Sequence, residues 1–200
     1  IAGDLRASES VWSTTGLKAD VDGNRLTVVG SLAPVPDLVG TDLELELAGP
    51  DLRRAGALAA GFVEVPELPG LSYSLSTRFA ADPDGYLVHD LRATLGTAES
   101  AIGGRVGRLP DLVGTDLTID VNGPDASLLQ LVTGETFPVA PFLITGRIQR
   151  TPEWVEFEDL RLRLGDSSVR LDGRLGEPPR LSGTALDLDA SGPRSGLIWR

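Results

Sequence analysis

An eight-residue segment occurs twice in this chain and constrains the fold more than any other feature of the sequence. Residues 36–43 read PDLVGTDL, and residues 110–117 repeat them letter for letter, 74 positions later. A weaker third copy, LSGTAL, lies 69 positions after the second. Self-similarity at a nearly fixed period indicates stacked copies of one structural unit. We therefore expect one β-repeat domain over residues 1–200, with units at about 1–50, 51–124 and 125–193 and the start of a further unit at 194–200.

Glycines keep the same two spacings outside the repeated segment. Gly30, Gly104 and Gly173 precede the three copies, and a Gly-Pro pair closes each copy, at 49–50, 123–124 and 192–193. Because the first and last units are incomplete, we expect the chain to be a slice of a longer array.

Alternating apolar and polar residues on both sides of the repeated turn predict β-strands. Residues 42–48 and 116–121 alternate after the turn, and residues 169–175 alternate before it. A period of two marks a strand with one apolar face, and short polar connections such as residues 22–24 are typical of hairpins. The sequence thus predicts a mainly β, antiparallel meander of about twelve strands.

Only two segments have a helical pattern, and both follow a Gly-Pro pair. Residues 51–60 and 125–132 each begin with aspartate, a good N-cap, and Gly61 or Gly134 is a suitable stop. We predict two short helices between the repeats.

The composition excludes several classes of function. The chain has no cysteine and one histidine, His89, and 18 basic residues stand against 29 acidic ones, for a net charge of −11. Thiol chemistry and sulfur-ligated zinc lack their residues, and a single histidine leaves little room for a zinc site with several imidazoles or for a Ser-His-Asp triad. The negative charge repels nucleic acid. We therefore expect no catalytic residue, metal site or cofactor, and no nucleic-acid partner.

Several acidic segments resemble metal or catalytic sites, but simpler structures explain them. Residues 20–24 and 82–85 have the acidic spacing of a calcium loop without the closing glutamate, so we predict hairpin turns there. The acidic residues of 42–46 and 116–120 occur at every second position, which places them on a solvated face. His89 is expected at the surface of a strand.

A family resemblance is carried by residues 159–175, followed by the LDLD of 186–189 and a Gly-Pro turn. This pattern resembles the repeat of the AsmA-like family, whose relatives include TamB and YhdP, and residues 90–104 are a second instance. The resemblance spans nearly the entire chain through the spacing of glycine and leucine. It implies an antiparallel repeat sheet that is curled into an elongated, β-taco-like groove, apolar inside and polar outside.

The resemblance also implies a function and a location. The chain would be a section of a periplasmic lipid-conducting groove that supports phospholipid transport between the inner and outer membranes and outer-membrane homeostasis. The full-length protein would be anchored to the inner membrane of a Gram-negative bacterium. Its partners would be phospholipid acyl chains and membrane-embedded proteins at the ends of the array.

The apolar columns of the predicted strands are the candidate groove lining. Burial of an acyl chain is favourable by about 0.8 kcal/mol per methylene, so aliphatic side chains suffice for binding. The candidate lining residues are Leu26, Val28, Leu43, Leu45, Leu47, Leu91, Leu95, Ile102, Val106, Leu117, Ile119, Val121, Leu160, Leu162, Leu164, Val169, Leu171, Leu186 and Leu188.

Three alternatives to the groove remain open at this stage. A closed β-sandwich has the same alternation and would bind no lipid. A periplasmic scaffold for outer-membrane protein assembly would pair its exposed sheet edges with client strands. A secreted adhesin or surface β-solenoid would have a closed core.

Overall fold

The computed structural model describes residues 2–8, 11–34, 38–59, 68–177 and 181–193. These residues form one open antiparallel sheet in which strand order follows the chain from β1 to β12. The strands are β1 Arg6–Ala7, β2 Trp12–Val21, β3 Asn24–Leu32, β4 Asp42–Gly49, β5 Tyr73–Asp82, β6 Gly85–Leu95, β7 Ala98–Gly107, β8 Asp116–Gly123, β9 Phe142–Arg150, β10 Trp154–Leu164, β11 Ser167–Gly176 and β12 Ala185–Ser191. The predicted mainly β, antiparallel meander is confirmed, and the described strands form a single sheet rather than the two sheets of a sandwich.

Tight hairpins connect strands at the predicted positions. Asp22 and Gly23 both have positive φ, 51° and 78°, as the two-residue turn of type I′ requires. The segment 82–85 is also a hairpin turn, in which Asp82 accepts hydrogen bonds from the backbone N–H groups of Asp84 and Gly85. Both segments with calcium-like spacing are therefore turns.

A bulge interrupts three strands at matching positions. The register shifts between Thr14 and Leu17 on β2, between Val88 and Leu91 on β6, and between residues 157 and 160 on β10. Asp90 takes a φ of 44° inside the second bulge. The three bulges are separated by the same 74 and 69 positions as the repeated segment.

The two predicted helices differ from each other. Helix α1, Leu52–Ala59, begins after Asp51, whose side chain accepts from Arg54 N–H. The second consists of a 3₁₀ turn, Ala126–Leu129, followed by one α-helical turn, α2, Gln130–Thr133. Gly134 ends α2 in the left-handed conformation, as predicted, while Gly61 lies outside the described residues.

Candidate functional site: the apolar face of the sheet

All the residues predicted to line the groove lie on one face of the sheet, which we call the apolar face. Directly paired residues of neighbouring strands point to the same side, and side chains alternate along each strand. The register therefore assigns every strand residue to a face. The apolar face holds Leu26 and Val28 on β3; Leu43, Leu45 and Leu47 on β4; Leu91 and Leu95 on β6; Ile102 and Val106 on β7; Leu117, Ile119 and Val121 on β8; Leu160, Leu162 and Leu164 on β10; Val169 and Leu171 on β11; and Leu186 and Leu188 on β12.

Two strands contribute apolar side chains that sequence reasoning missed. Leu75 and Phe79 on β5 pair with Leu47 and Leu43, and Ile144 and Ile148 on β9 pair with Val121 and Leu117 on the same face. Both strands have the alternating pattern in the sequence, but Thr77 on β5 and Gly146 on β9 interrupt its apolar positions at the centre. These two strands close the gaps between the predicted columns, so the apolar face runs from β2 to β12.

The described part of the chain places no second layer over this face. Only six hydrophobic residues in it are buried, Ala33, Tyr73, Ala81, Ala126, Phe142 and Leu160, whereas Leu162 is 37 % and Leu188 63 % exposed. The accessible surface is 13289 Å², against about 9,000 Å² for a compact monomer of this mass. A single-layer sheet with two open faces contributes to this excess.

Three glycines on the apolar face allow close approach of neighbouring strands. A Cβ on Gly30 or Gly104 would lie 2.0 Å from the carbonyl oxygen of Asp42 or Asp116, and one on Gly173 would lie 2.2 Å from that of Ala185. Each glycine pairs directly with the residue beside a bulge, as Gly104 does with Val88. Each of these positions therefore requires glycine.

The opposite face is polar and carries arginine–aspartate pairs. Arg78 donates two hydrogen bonds to Asp42, at 2.9 and 2.7 Å, and Arg147 donates two to Asp116, both at 2.7 Å. These guanidinium groups hold the pKa of each aspartate below its usual value. Asp42 and Asp116 lie on β4 and β8, so the pairs join β4 to β5 and β8 to β9, where the predicted units meet.

The described depressions also lie on the polar face. The largest, of about 650 Å³, is lined by Arg25 and Arg92 together with Glu46, Glu99 and Asp120. Two others, of about 630 and 470 Å³, are lined by charged residues of the same face together with uncharged residues, some of which, such as Ile102 and Leu45, belong to the apolar face. Their charges are mixed in sign, and they are separate from the hollow that was expected on the apolar side.

An aromatic ring covers a glycine at each of the same two strand junctions. The Tyr73 ring lies against Gly49, where a Cβ would come within 2.8 Å of it, and the Phe142 ring would be 2.7 Å from a Cβ on Gly123. The Tyr73 hydroxyl donates to Asn24 Oδ1 at 3.1 Å, and burial raises the pKa of this tyrosine. Glycine under an aromatic ring is a recognised way of fixing strand register.

The remaining candidate sites have simple structural positions. His89 is exposed on β6, as predicted, and Asp42, Glu44 and Glu46 are exposed on the polar face. Within the described ranges, no three acidic or histidine side chains converge as a metal site would require. No helix of those ranges has the length and apolar character needed to cross a membrane.

Comparison with known proteins identifies no relative, since no family model, curated protein or solved structure matches this chain.

Proposed function

We propose that this chain is a non-enzymatic section of a lipid-conducting groove whose apolar face binds phospholipid acyl chains. The observation that carries the proposal is that one side of the described sheet is mostly aliphatic from β2 to β12, and that no other described residues form a layer over it. Soluble monomers rarely expose contiguous apolar patches larger than a few hundred Å², and larger patches mark binding surfaces. An elongated aliphatic strip fits an elongated aliphatic ligand.

The energy of acyl-chain burial supports this choice of ligand. A tail of about sixteen carbons gains roughly 12 kcal/mol when it is fully removed from water. On an open sheet only the side of the tail that touches the protein is buried, so about half of that gain, roughly 6 kcal/mol, is expected. This is enough to hold a lipid without a specific head-group contact, and weak enough to let it slide along the strip.

The groove shape, built from three repeated four-strand units, is the second part of the proposal. Gly30, Gly104 and Gly173 have φ values of +117°, +128° and +105°, and each lies beside a bulge on the preceding strand. Bulges and glycines in strands are sites of bending. The same irregularity in each unit would bend the sheet by similar steps, and bending toward the apolar face would form the trough.

The proposed location and partners follow from the resemblance in glycine and leucine spacing. We place the groove in the periplasm, in a full-length protein anchored to the inner membrane of a Gram-negative bacterium. Its proposed role is phospholipid transport to the outer membrane and outer-membrane homeostasis. Membrane-embedded proteins at the ends of the array would deliver and receive the lipid.

Lipid retention by the purified chain tests the proposal. The 200-residue chain would be expressed in the periplasm of a Gram-negative host, and its bound lipids identified by mass spectrometry. We expect retained phospholipid in the unmodified chain and in the polar-face control Glu44→Ser. Ile119→Asp, at the centre of the apolar face, should retain much less while the circular dichroism spectrum stays that of a β-sheet.

Two results would contradict the proposal. One is an unmodified chain that carries no phospholipid. The other is unfolding of the Ile119→Asp variant. A charge that cannot reach water costs several kcal/mol, so unfolding would show that the apolar face is a closed core.

A further inference from the structure

We infer that the edge of β12 that faces away from β11 is a strand-addition site for an extended segment that carries an aromatic residue and, five positions later, an arginine. An edge strand exposes every second backbone N–H and C=O group, and these can pair with an added strand. In the described residues β12 pairs only with β11. The inference concerns this edge alone and does not depend on lipid binding by the apolar face.

Two internal junctions show what an added strand looks like at this position. β4 and β8 stand 143 and 69 positions before β12 in the repeat, and each pairs on its far side with a strand, β5 or β9. The added strands begin with Tyr73 and Phe142, and their arginines are Arg78 and Arg147. β12 thus corresponds in the repeat to β4 and β8, and both of those strands have a neighbour of this type on their far side.

The start of the added strand is specified by Gly192. It follows β12 at the position that Gly49 and Gly123 hold at the ends of β4 and β8, where the rings of Tyr73 and Phe142 lie. A Cβ on Gly192 would meet only the Ser167 hydroxyl, at 2.9 Å, so the feature shared with Gly49 and Gly123 is the absence of a side chain at the end of the strand. The surface above Gly192 therefore matches an incoming aromatic ring.

The charge on β12 favours the arginine, although its position differs from that of the aspartates on β4 and β8. Asp42 and Asp116, which accept hydrogen bonds from Arg78 and Arg147, correspond to Ala185 on β12. Glu44, which pairs directly with Arg78 across β4 and β5, corresponds to Asp187. On its β11 side Asp187 stands opposite Asp172, and like charges directly opposite each other are destabilising. An arginine on the other side of Asp187 would neutralise this pair.

The exposure of β12 is that of an incomplete junction. Every residue of β12 is exposed, with Leu186 37 % and Leu188 63 % accessible. Leu43, Leu45 and Leu47, the corresponding residues of the doubly paired β4, are half-buried. A strand with aliphatic residues between its aromatic residue and its arginine would extend the apolar face over Leu186 and Leu188.

The occupant we assign is a strand of a further unit of this sequence type, and β9 itself supplies the probe. A synthetic peptide of residues 141–150, PFLITGRIQR, would be titrated into the full 200-residue chain without lipid. Backbone amide NMR shifts and hydrogen exchange would be followed along β12. We expect shifts and slower exchange confined to β12 and its neighbour β11.

A charge exchange identifies the contact. Asp187→Arg should weaken binding of the peptide by about fivefold, the upper range for one exposed ion pair, and the Arg147→Glu peptide should restore it. Glu99→Arg, an equal charge change on exposed β7, is the matched control and should leave binding unchanged. The Phe142→Ala peptide should bind more than about tenfold more weakly, since the ring is buried against Gly192.

Several outcomes would overturn the inference. These are unchanged β12 amides, equal binding of the Phe142→Ala peptide, failure of the charge exchange, or shifts confined to the apolar face. A chain that dimerises with its β12 amides already protected would instead assign the edge to a second copy. None of these readouts depends on retained lipid, so they are independent of the lipid test above.

Discussion

Gly104 shows how one missing side chain determines the spacing of two strands. Its backbone has a φ of +128°, and a Cβ would be 2.0 Å from the carbonyl oxygen of Asp116 and 3.2 Å from Leu117 Cα. Backbone atoms cannot move aside as a flexible side chain can, so any larger residue must separate β7 from β8. A Cβ placed on the neighbouring Gly103 would have no atom closer than 3.9 Å.

Gly104→Ala should therefore destabilise the chain, and Gly103→Ala should not. For Gly104→Ala we expect a loss of about 2–4 kcal/mol in the free energy of unfolding, from backbone strain and strand separation. Gly103→Ala should stay within about 0.5 kcal/mol of the unmodified chain. Urea unfolding monitored by circular dichroism measures both, and equal midpoints would contradict the assigned close approach.

Asp82 should make the stability of the fold depend on pH. Arg105 donates two hydrogen bonds to it, at 2.8 and 2.9 Å, and these lower the pKa of Asp82 from 3.8 to about 2. A carboxylate whose pKa is lower in the folded state stabilises the fold above the unfolded pKa and loses that effect as the pH falls through the folded pKa.

Asp82→Asn should consequently be less stable than the unmodified chain at pH 5 and about equally stable near pH 2. The difference in urea midpoint should decrease as the pH falls from 4 to 2. A difference that is constant with pH would show that the Asp82–Arg105 pair contributes no stability.

At the scale of the element, a threonine makes the same hydrogen bond in three strand connections, between β3 and β4, between β7 and β8, and between β11 and β12. Thr41 Oγ1 accepts from the Ala33 N–H at 3.0 Å, Thr115 from the Gly107 N–H at 2.9 Å, and Thr184 from the Gly176 N–H at 3.0 Å. Thr41 is only 2 % exposed. The hydroxyl satisfies a backbone group that leaves the β-ladder at the end of the strand.

Thr41→Val should destabilise the chain by about 1–3 kcal/mol, because it leaves the buried Ala33 N–H without an acceptor. Thr41→Ser keeps the hydroxyl and should recover most of the loss, whereas Thr118→Val on the exposed polar face should be nearly neutral. Thermal or urea unfolding compares the three variants. If Thr41→Ser and Thr41→Val were equally destabilising, the loss of stability would come from packing of the threonine methyl group and not from the hydrogen bond.

The elements were predictable wherever one local rule determined them. Alternation located the strands, and Asp22-Gly23 located a hairpin. A short helix was predicted over residues 125–132, but its start as a 3₁₀ turn, Ala126–Leu129, was not, because the sequence identifies the cap at Asp125 but not the hydrogen-bond pattern that follows it. The bulge at Asp90 was missed, since only the pairing of β6 with both neighbours requires the extra residue.

At the scale of the whole molecule, the assignment of faces followed from the sequence, while contacts between residues far apart in the chain did not. Period-two patterning already separated Leu43 and Leu45 from Glu44 and Glu46. The Arg78–Asp42 pair joins residues 36 positions apart, and its register is set only when β5 returns beside β4. The depressions on the polar face likewise arise from side chains of up to six strands, which no local pattern specifies.

The central claim is that one side of this sheet is an uncovered binding surface for hydrocarbon. Site-specific photo-crosslinking at consecutive positions of β8, residues 117–121, with a phospholipid labelled on its acyl chain tests it most directly. The account predicts alternation, with lipid adducts from positions 117, 119 and 121 and few from positions 118 and 120. Equal labelling at all five positions, or no adducts from the apolar face, would contradict it.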